Sequence, residues 1–276
     1  MNRQRTIFVT GATDGLGRAL AHRLAADGAD LILHGRDAGK LDHTANAIRD
    51  THGGHVRTVV ADLAELAQVR VLAADVLDVT DRLDAFVSNA GIGSGHPDGR
   101  TRQTSVDGHE LRFAVNYLAG FLLTLELLPL LRQSAPARVV NVASLGQHPL
   151  DFHDLMIEHG YNGTRAYGQS KLAQIMSGFE LAERLAAAQV TVNSLHPATY
   201  MPTKIVLDEI GHSVDSLDAG VAATHRLIAD GDLATTTGRF FNQAHDAKAH
   251  PQAYHDHARR ELWQRSLELV DHPDIR

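Results

Sequence analysis

Short, almost wholly apolar runs recur along this chain, separated by longer stretches with apolar residues at three- and four-residue spacing. The runs are TIFVT from Thr6, LILH from Leu31, VRTVVA from Val56, LDAFVS from Leu83, RVVNVA from Arg138 and VTVNSLH from Val190. A strand with one face in water alternates apolar and polar residues, whereas runs without that alternation suit parallel strands covered on both faces. The intervening stretches include LGRALAHRLAADG, LAQVRVLAADVLDVT, LRFAVNYLAGFLLTLELLPLL and KLAQIMSGFELAERLAAA, which carry the period of amphipathic helices. This alternation predicts an α/β fold in which a doubly wound parallel sheet is flanked by helices and connected by right-handed crossovers. Ligands in such sheets bind beyond the carboxyl ends of the strands, where the strand order reverses.

With 276 residues, 43% of them hydrophobic, the chain is long enough for a full core, and no repeat or Pro/Gly/Ser linker divides it. A single domain over 1–276 is expected. The net charge of -7 comes from interspersed acids and bases without a basic tract, which argues against nucleic acid and anionic membranes and for a small-molecule partner. The absence of cysteine excludes disulfides and thiolate chemistry and fits a cytoplasmic location. The apolar run after the N-terminus is too short for a signal-peptide core. FLLTLELLPLL, from Phe121, is expected to be broken by Glu126 and Pro129 short of a membrane span. The 18 histidines show no metal-ligand spacing and read as surface or loop residues, so no metal site is expected. Loops are expected over 92–105, 145–166 and 197–215, the last two placed to form a substrate pocket. HPQAYHDHARRELWQRSLELV reads as a final helix with Leu262, Trp263, Leu267 and Val270 on its apolar side.

After the first run comes TGATDGLG, with Gly11, Gly15 and Gly17 leading into a helix. Glycines here allow a tight turn and let the backbone approach a pyrophosphate at the helix N-terminus. Further along stand SNAG with Asn89, Ala90 and Gly91, VVADL with Asp62, then Asn116, Ser144 and AYGQSKLAQ with Tyr167 and Lys171. In this order and context the motifs resemble the short-chain dehydrogenase/reductase family, over nearly the full chain. The resemblance implies a Rossmann-type domain binding a nicotinamide dinucleotide. It assigns Thr13 and Leu16 to the glycine loop's cofactor contacts, Asp62 and Leu63 to the adenine, and Asn89, Ala90 and Gly91 to the same cofactor. It also implies a homodimer or homotetramer built partly on the long helices.

An acid at the end of the second strand would hold the ribose 2′-hydroxyl of NAD, whereas a base would take the 2′-phosphate of NADP. The sequence there is HGRD, with Gly35 in the acid's place and Arg36 next, a planar fork suited to phosphate. NADP(H) is therefore the preferred cofactor and NAD(H) the alternative. Asp37 dissents, as a carboxylate able to pair with Arg36.

Tyr167 and Lys171 lie four apart on one helix face. A nearby ammonium is expected to lower the phenol's pKa from about 10, fitting it to protonate a carbonyl oxygen or deprotonate an alcohol. Ser144, at the carboxyl end of a strand, is placed to orient the substrate oxygen. Asn116 sits among apolar residues and needs hydrogen-bond partners. By resemblance it holds a water that links Lys171 to solvent, and Lys171 also binds the nicotinamide ribose. The long gap before Tyr167, DFHDLMIEHGYNGTR, resembles the retinol-dehydrogenase-like and WW-domain-oxidoreductase-like branch, and offers Phe152, Leu155, Met156 and Tyr161 as pocket walls. In HPATYMPTK, Pro197 matches the family, Ala198 replaces its usual glycine, and either Thr199 or Thr203 is expected to meet the nicotinamide amide. The reading is an oxidoreductase acting on an alcohol, aldehyde or ketone, probed against a rival in which the chain is an NADP(H)-binding sensor without turnover.

Overall fold

Each of the six apolar runs is a strand in the computed structural model, which describes residues 4–95, 99–185 and 190–275. The first half alternates β1 (Thr6–Val9), α1 (Gly15–Ala26), β2 (Asp30–Gly35), α2 (Ala38–His52), β3 (Val56–Val60), α3 (Leu66–Val79) and β4 (Ala85–Ser88). Next comes a long helix in three parts: α4 (Leu111–Phe113), a π-helical turn (Ala114–Leu118) and α5 (Ala119–Gln133). The chain continues through β5 (Ala137–Val142), α6 (Gly163–Arg184), β6 (Val190–His196), α7 (Lys204–Glu209), α8 (Leu217–Ala229), β7 (Arg239–Asn242), β8 (His245–Ala247) and α9 (Asp256–Leu269).

The strand order is β3-β2-β1-β4-β5-β6-β7-β8, parallel throughout except for β8 against β7. Successive side chains of a strand point to opposite faces. Phe8 accordingly joins the cluster under α3, α5, α6 and α9, while Ile7 and Val9 join the one under α1, α2 and α8. Helices thus cover both faces, and the order reverses between β1 and β4, where a crevice opens.

Several elements depart from the expectation. β7 and β8 were not foreseen: RFFN is short and HDA has little apolar content, and both become strands by extending an edge already formed by β6. Pro129 lies within α5 without breaking it, its own ring on the exposed side of the helix. Leu111–Gln133 is therefore one helix long and apolar enough to cross a membrane, but 78% of its most apolar window is buried inside this fold. α6 begins at Gly163, with Asn162 Oδ1 accepting from Arg165 N at 3.0 Å, so the preceding loop ends earlier than expected. The loop over 197–215 contains α7, and residues 96–98 of the loop expected over 92–105 lie outside the described residues.

The C-terminal helix α9 buries Leu262, Trp263, Leu267 and Val270, the last as its cap, against α5 and α6. Trp263 meets Phe121 edge-on at 5.0 Å, lies under the Arg184 guanidinium at 4.5 Å and donates Nε1–H to Asp274 at 2.9 Å. We predict that Trp263→Ala lowers unfolding stability by about 3–5 kcal/mol, the usual loss for truncating a buried aromatic; urea melts that overlay those of the wild type would show that α9 is not part of the cooperative core.

Candidate active site

At the β1/β4 crevice lies a cleft of about 1220 Å³. The glycine loop forms one wall. Gly11 and Gly15 have φ of +67° and +49°, a region that side chains strain. A Cβ on Gly17 would lie 2.2 Å from the carbonyl oxygen of Gly11, so α1 approaches the loop only because that residue has no side chain. The N-terminus of α1, capped by Asp14 Oδ1 accepting from Gly15 N at 2.7 Å, opens on the cleft. Thr13, Leu16, Asp62, Leu63, Asn89, Ala90, Gly91, Pro197 and Thr199 line the same space, together with Gly11, Gly15, Gly17 and Arg36. This cradle, shaped by positions where a Cβ would collide, fits the backbone-held pyrophosphate of a dinucleotide.

At the end of β2, Arg36 is exposed on the cleft rim and has no hydrogen-bond or ion-pair partner among the described residues. The dissenting Asp37 is engaged elsewhere, its Oδ1 accepting from Lys40 N at 3.0 Å as the cap of α2. Lys40 and His43 also line the cleft. Their three-residue spacing after a strand end was a signal the sequence reading did not use.

The reacting centre draws on β5, α6 and the π-helical turn. Tyr167 and Lys171 share one face of α6, with Lys171 Nζ 5.8 Å from the phenol ring centre. Lys171 is 5% exposed and its Nζ donates to the Val142 carbonyl at 2.9 Å. Burial pulls its pKa down to about 8. The phenol behaves differently from the expectation. Burial pushes the Tyr167 pKa up, the neighbouring Ser144 hydroxyl partly offsets the rise, and the Glu209 carboxylate adds to it. Desolvation, not the ammonium, sets the direction. Ser144 Oγ also accepts from Gly146 N at 3.0 Å, which fixes the hydroxyl at the mouth of β5. Asn116, in the π-helical turn, is 1% exposed. Its Oδ1 accepts from Ile92 N at 2.7 Å and its Nδ2 donates to Ile92 O at 3.1 Å and Ser170 Oγ at 3.0 Å. Its amide is thus satisfied within the chain, tying the segment after β4 to α6. Single π-turns inside α-helices are frequent at functional sites.

Thr199 and Thr203 both line the cleft, and both are held locally. Thr199 Oγ1 is 3.1 Å from His196 Nε2, and Thr203 Oγ1 caps α7 at Val206 N, 3.4 Å away. The expected walls Phe152, Leu155, Met156 and Tyr161 do not line the cleft. Leu155 is buried in the core, Phe152 and Met156 pack on it, and Tyr161 is bonded to Glu110 and Arg112. They were misplaced because an apolar insertion after a strand can fold down onto the core as well as over a ligand. The apolar wall comes instead from Leu111, Val115, Leu145, Ile205, Val206 and Ile210.

Two histidines are not surface residues. His196 is 8% exposed at the end of β6, and His34 is 3% exposed at the end of β2. Gly11 N donates to His34 Nδ1 at 3.3 Å and His34 Nε2 lies 3.1 Å from Ala61 O. With Nδ1 accepting, Nε2 carries the proton and donates it, so a neutral ring ties the glycine loop to the end of β3 beside Asp62. The signal was a polar residue ending an otherwise apolar strand. Among the described residues no group of three or more His, Asp or Glu is placed to hold a metal ion.

Residues 5–209 match the model of the short chain dehydrogenase family. The chain is 34% identical over 293 residues to retinol dehydrogenase 13 of Homo sapiens, covering 99% of this chain and 87% of that one. A crystal structure of an uncharacterised protein from Mycobacterium paratuberculosis superposes with a TM-score of 0.78 at 28% identity, over 98% of this chain and 94% of that one. The RhlG/NADP active-site complex of Pseudomonas aeruginosa gives a TM-score of 0.71 at 26% identity, over 86% and 94%.

Burial lowers the pKa of His34 below the ordinary value of about 6.5, although the Ala61 carbonyl and Asp62 pull the other way. The unfolded chain therefore binds a proton on this residue at a higher pH than the folded one. The stabilisation from neutral His34 is complete above about 6.5 and is lost as pH falls through the lower folded value. We predict that wild-type stability by urea unfolding declines between pH 7 and pH 5.5 and that His34→Asn, although less stable at pH 7, declines less. Parallel declines would mean that His34 is not held neutral.

Proposed function

The chain belongs to the short-chain dehydrogenase family, and from that premise we propose that it is an NADP(H)-preferring oxidoreductase acting on the alcohol/carbonyl pair of a hydrophobic substrate. The observation that carries this reading is the convergence of Tyr167, Ser144 and the buried Lys171 on one cleft with the glycine loop. When bound, the nicotinamide supplies or accepts the hydride. Gly11, Thr13, Gly15, Leu16 and Gly17 would hold its pyrophosphate, Asp62 and Leu63 the adenine, and Asn89, Ala90 and Gly91 the stretch between. Lys171 and Tyr167 would hold the nicotinamide ribose, and Pro197 with Thr199 or Thr203 the carboxamide.

In the reductive direction Tyr167 Oη gives its proton to the substrate oxygen, which Ser144 Oγ holds by a hydrogen bond. A phenol raised by burial stays protonated at neutral pH, the form a proton donor needs. Lys171, positively charged below about pH 8, stabilises the phenolate that results. Asn116 keeps the Ile92 backbone and α6 in register, and a water beside it would return the proton from solvent. The substrate preference is supported by the apolar wall of Leu111, Val115, Leu145, Ile205, Val206 and Ile210, and by a relative named for retinol, an apolar alcohol. The NADP preference is supported by unpartnered Arg36, with Lys40 and His43 on the same wall, and by the NADP complex among similar structures.

The location we propose is the cytoplasm. A homodimer or homotetramer is part of the proposal with one constraint. α6 is buried continuously from Gly168 to Ala182 and packs against α9, so an interface would have to use another face.

The test is NADPH oxidation by the purified protein across hydrophobic aldehydes, ketones and quinones, with NADH in parallel. Tyr167→Phe is expected to lower kcat by about 10²–10⁴ while leaving NADPH affinity largely intact, since only the proton donor is removed. Substantial retained rate would reject Tyr167 as the acid. Arg36→Ala is expected to weaken NADPH binding by about tenfold or more and NADH binding little, because only the former offers a phosphate to the guanidinium. Equal losses in fluorescence titrations of the two cofactors would sink the 2′-phosphate assignment.

A further inference from the structure

α7 stands over the mouth of the cleft without burying any of its residues. Ile205 and Ile210 line the cleft yet remain 41% and 40% exposed, so core packing does not hold this segment in place. A single side chain ties it to the opposite rim. Glu209 Oε2 accepts from Ser94 N at 3.0 Å and from Ser94 Oγ at 2.8 Å, and Oε1 accepts from Gly95 N at 2.8 Å. Among the described residues, these are the only hydrogen bonds from α7 to anything outside 203–211.

The receiving loop is built for a carboxylate. A Cβ on Gly93 would lie 2.1 Å from Glu209 Oε1, and Gly95 has a φ of +80°, so two glycines bring successive N–H groups to one anion. From beneath, Arg112 Nε donates to Gly93 O at 2.9 Å while its Nη1 donates to Tyr161 Oη at 2.8 Å. Arg112 is itself buried beside Glu110. A firmly held receptor therefore faces a loosely held helix, and among the described residues one carboxylate is the only polar link between them.

We propose that Glu209 is the latch of a lid: α7 closes over the cleft through this carboxylate, and entry or release of ligands requires its three hydrogen bonds to break. Charge-assisted bonds make the closed position the favoured one, while solvent access leaves opening within reach of turnover. Only the kinetic arm of the test rests on the oxidoreductase reading.

The first arm is limited trypsin digestion at Lys204, the exposed first residue of α7, with the fragment ending there identified by mass. Glu209→Gln is expected to speed this cleavage about tenfold, because local opening sets the rate of proteolysis of a folded protein. Asp208→Asn, the same charge change at an exposed neighbour without a partner, is the control and should cleave at the wild-type rate. Cleavage of Glu209→Gln at the wild-type rate, or equal acceleration by Asp208→Asn, would overturn the latch. In the second arm Glu209→Gln should raise KM for the carbonyl several-fold with kcat unchanged or higher; a loss of kcat at constant KM would place Glu209 in the chemistry and overturn the latch. A wild-type protein without turnover would count against the oxidoreductase reading, and the digestion would still decide the latch.

Discussion

The ends of β1 and β4 are fastened together just where the sheet's order reverses, and the site depends on that fastening. Thr10 Oγ1 accepts from Asn89 N at 3.0 Å and Ala90 N at 3.1 Å, and Asn89 Nδ2 donates to Thr10 O at 2.8 Å and Gly11 O at 3.2 Å. Two parallel strands whose chains leave in opposite directions strand backbone groups at the point of divergence, and buried groups of that kind are costly when unpaired. A hydroxyl and an amide meet the need. Once the Gly11 carbonyl is held there, α1 can begin only if Gly17 has no side chain, and the first residues of the helix line the cleft. The cleft is thus a by-product of how the sheet ends, and the helix N-terminus that lines it is suited to an anion.

Across the crevice, the reacting groups gain their properties from burial more than from each other. Lys171 is surrounded by core on a helix that offers almost no surface, and desolvation disfavours its charge. The same desolvation raises Tyr167, where a mutual interaction alone would have lowered it. In the proposed reduction this would suit Tyr167 as the donor, because the proton must stay on the phenol until the substrate oxygen acquires charge. On that proposal the phenolate would be stabilised by an ammonium that is itself poorly solvated, an attraction stronger than it would be in water.

The sheet was legible because burial on both faces removes polar residues from strands, and the four-residue step from Tyr167 to Lys171 was legible because helix geometry alone sets it. What escaped depends on partners distant in sequence. β7 is a strand because β6 pairs with it, and the acceptor of Lys171 is a carbonyl on β5, 29 residues away. Glu209 reads as one acid in an amphipathic stretch until the fold brings Ser94 and Gly95 to it, 115 and 114 residues distant. His34 was read with the other histidines as a surface or loop residue, and only the return of β3 beside β2 gives its second nitrogen an acceptor. Pocket walls were the least legible, since Phe152 and Leu145 are equally apolar and only the path of the loop sends the first to the core and the second to the cleft.

That contrast bears on the proposed cofactor preference. Reading a 2′-hydroxyl requires an acidic side chain at the end of β2, hence a Cβ at position 35. Here that Cβ would lie 2.4 Å from the Thr13 methyl of the glycine loop and 3.4 Å from Leu41. Thr13 therefore occupies the room that an acid's stem would need, while Arg36, one residue later, projects from the rim with no such conflict. On the proposed assignment, the preference between the two dinucleotides would depend in part on packing within the glycine loop. A side chain at position 35 would force Thr13 to move. The glycine in HGRD therefore has to be read together with the threonine in TGATDGLG.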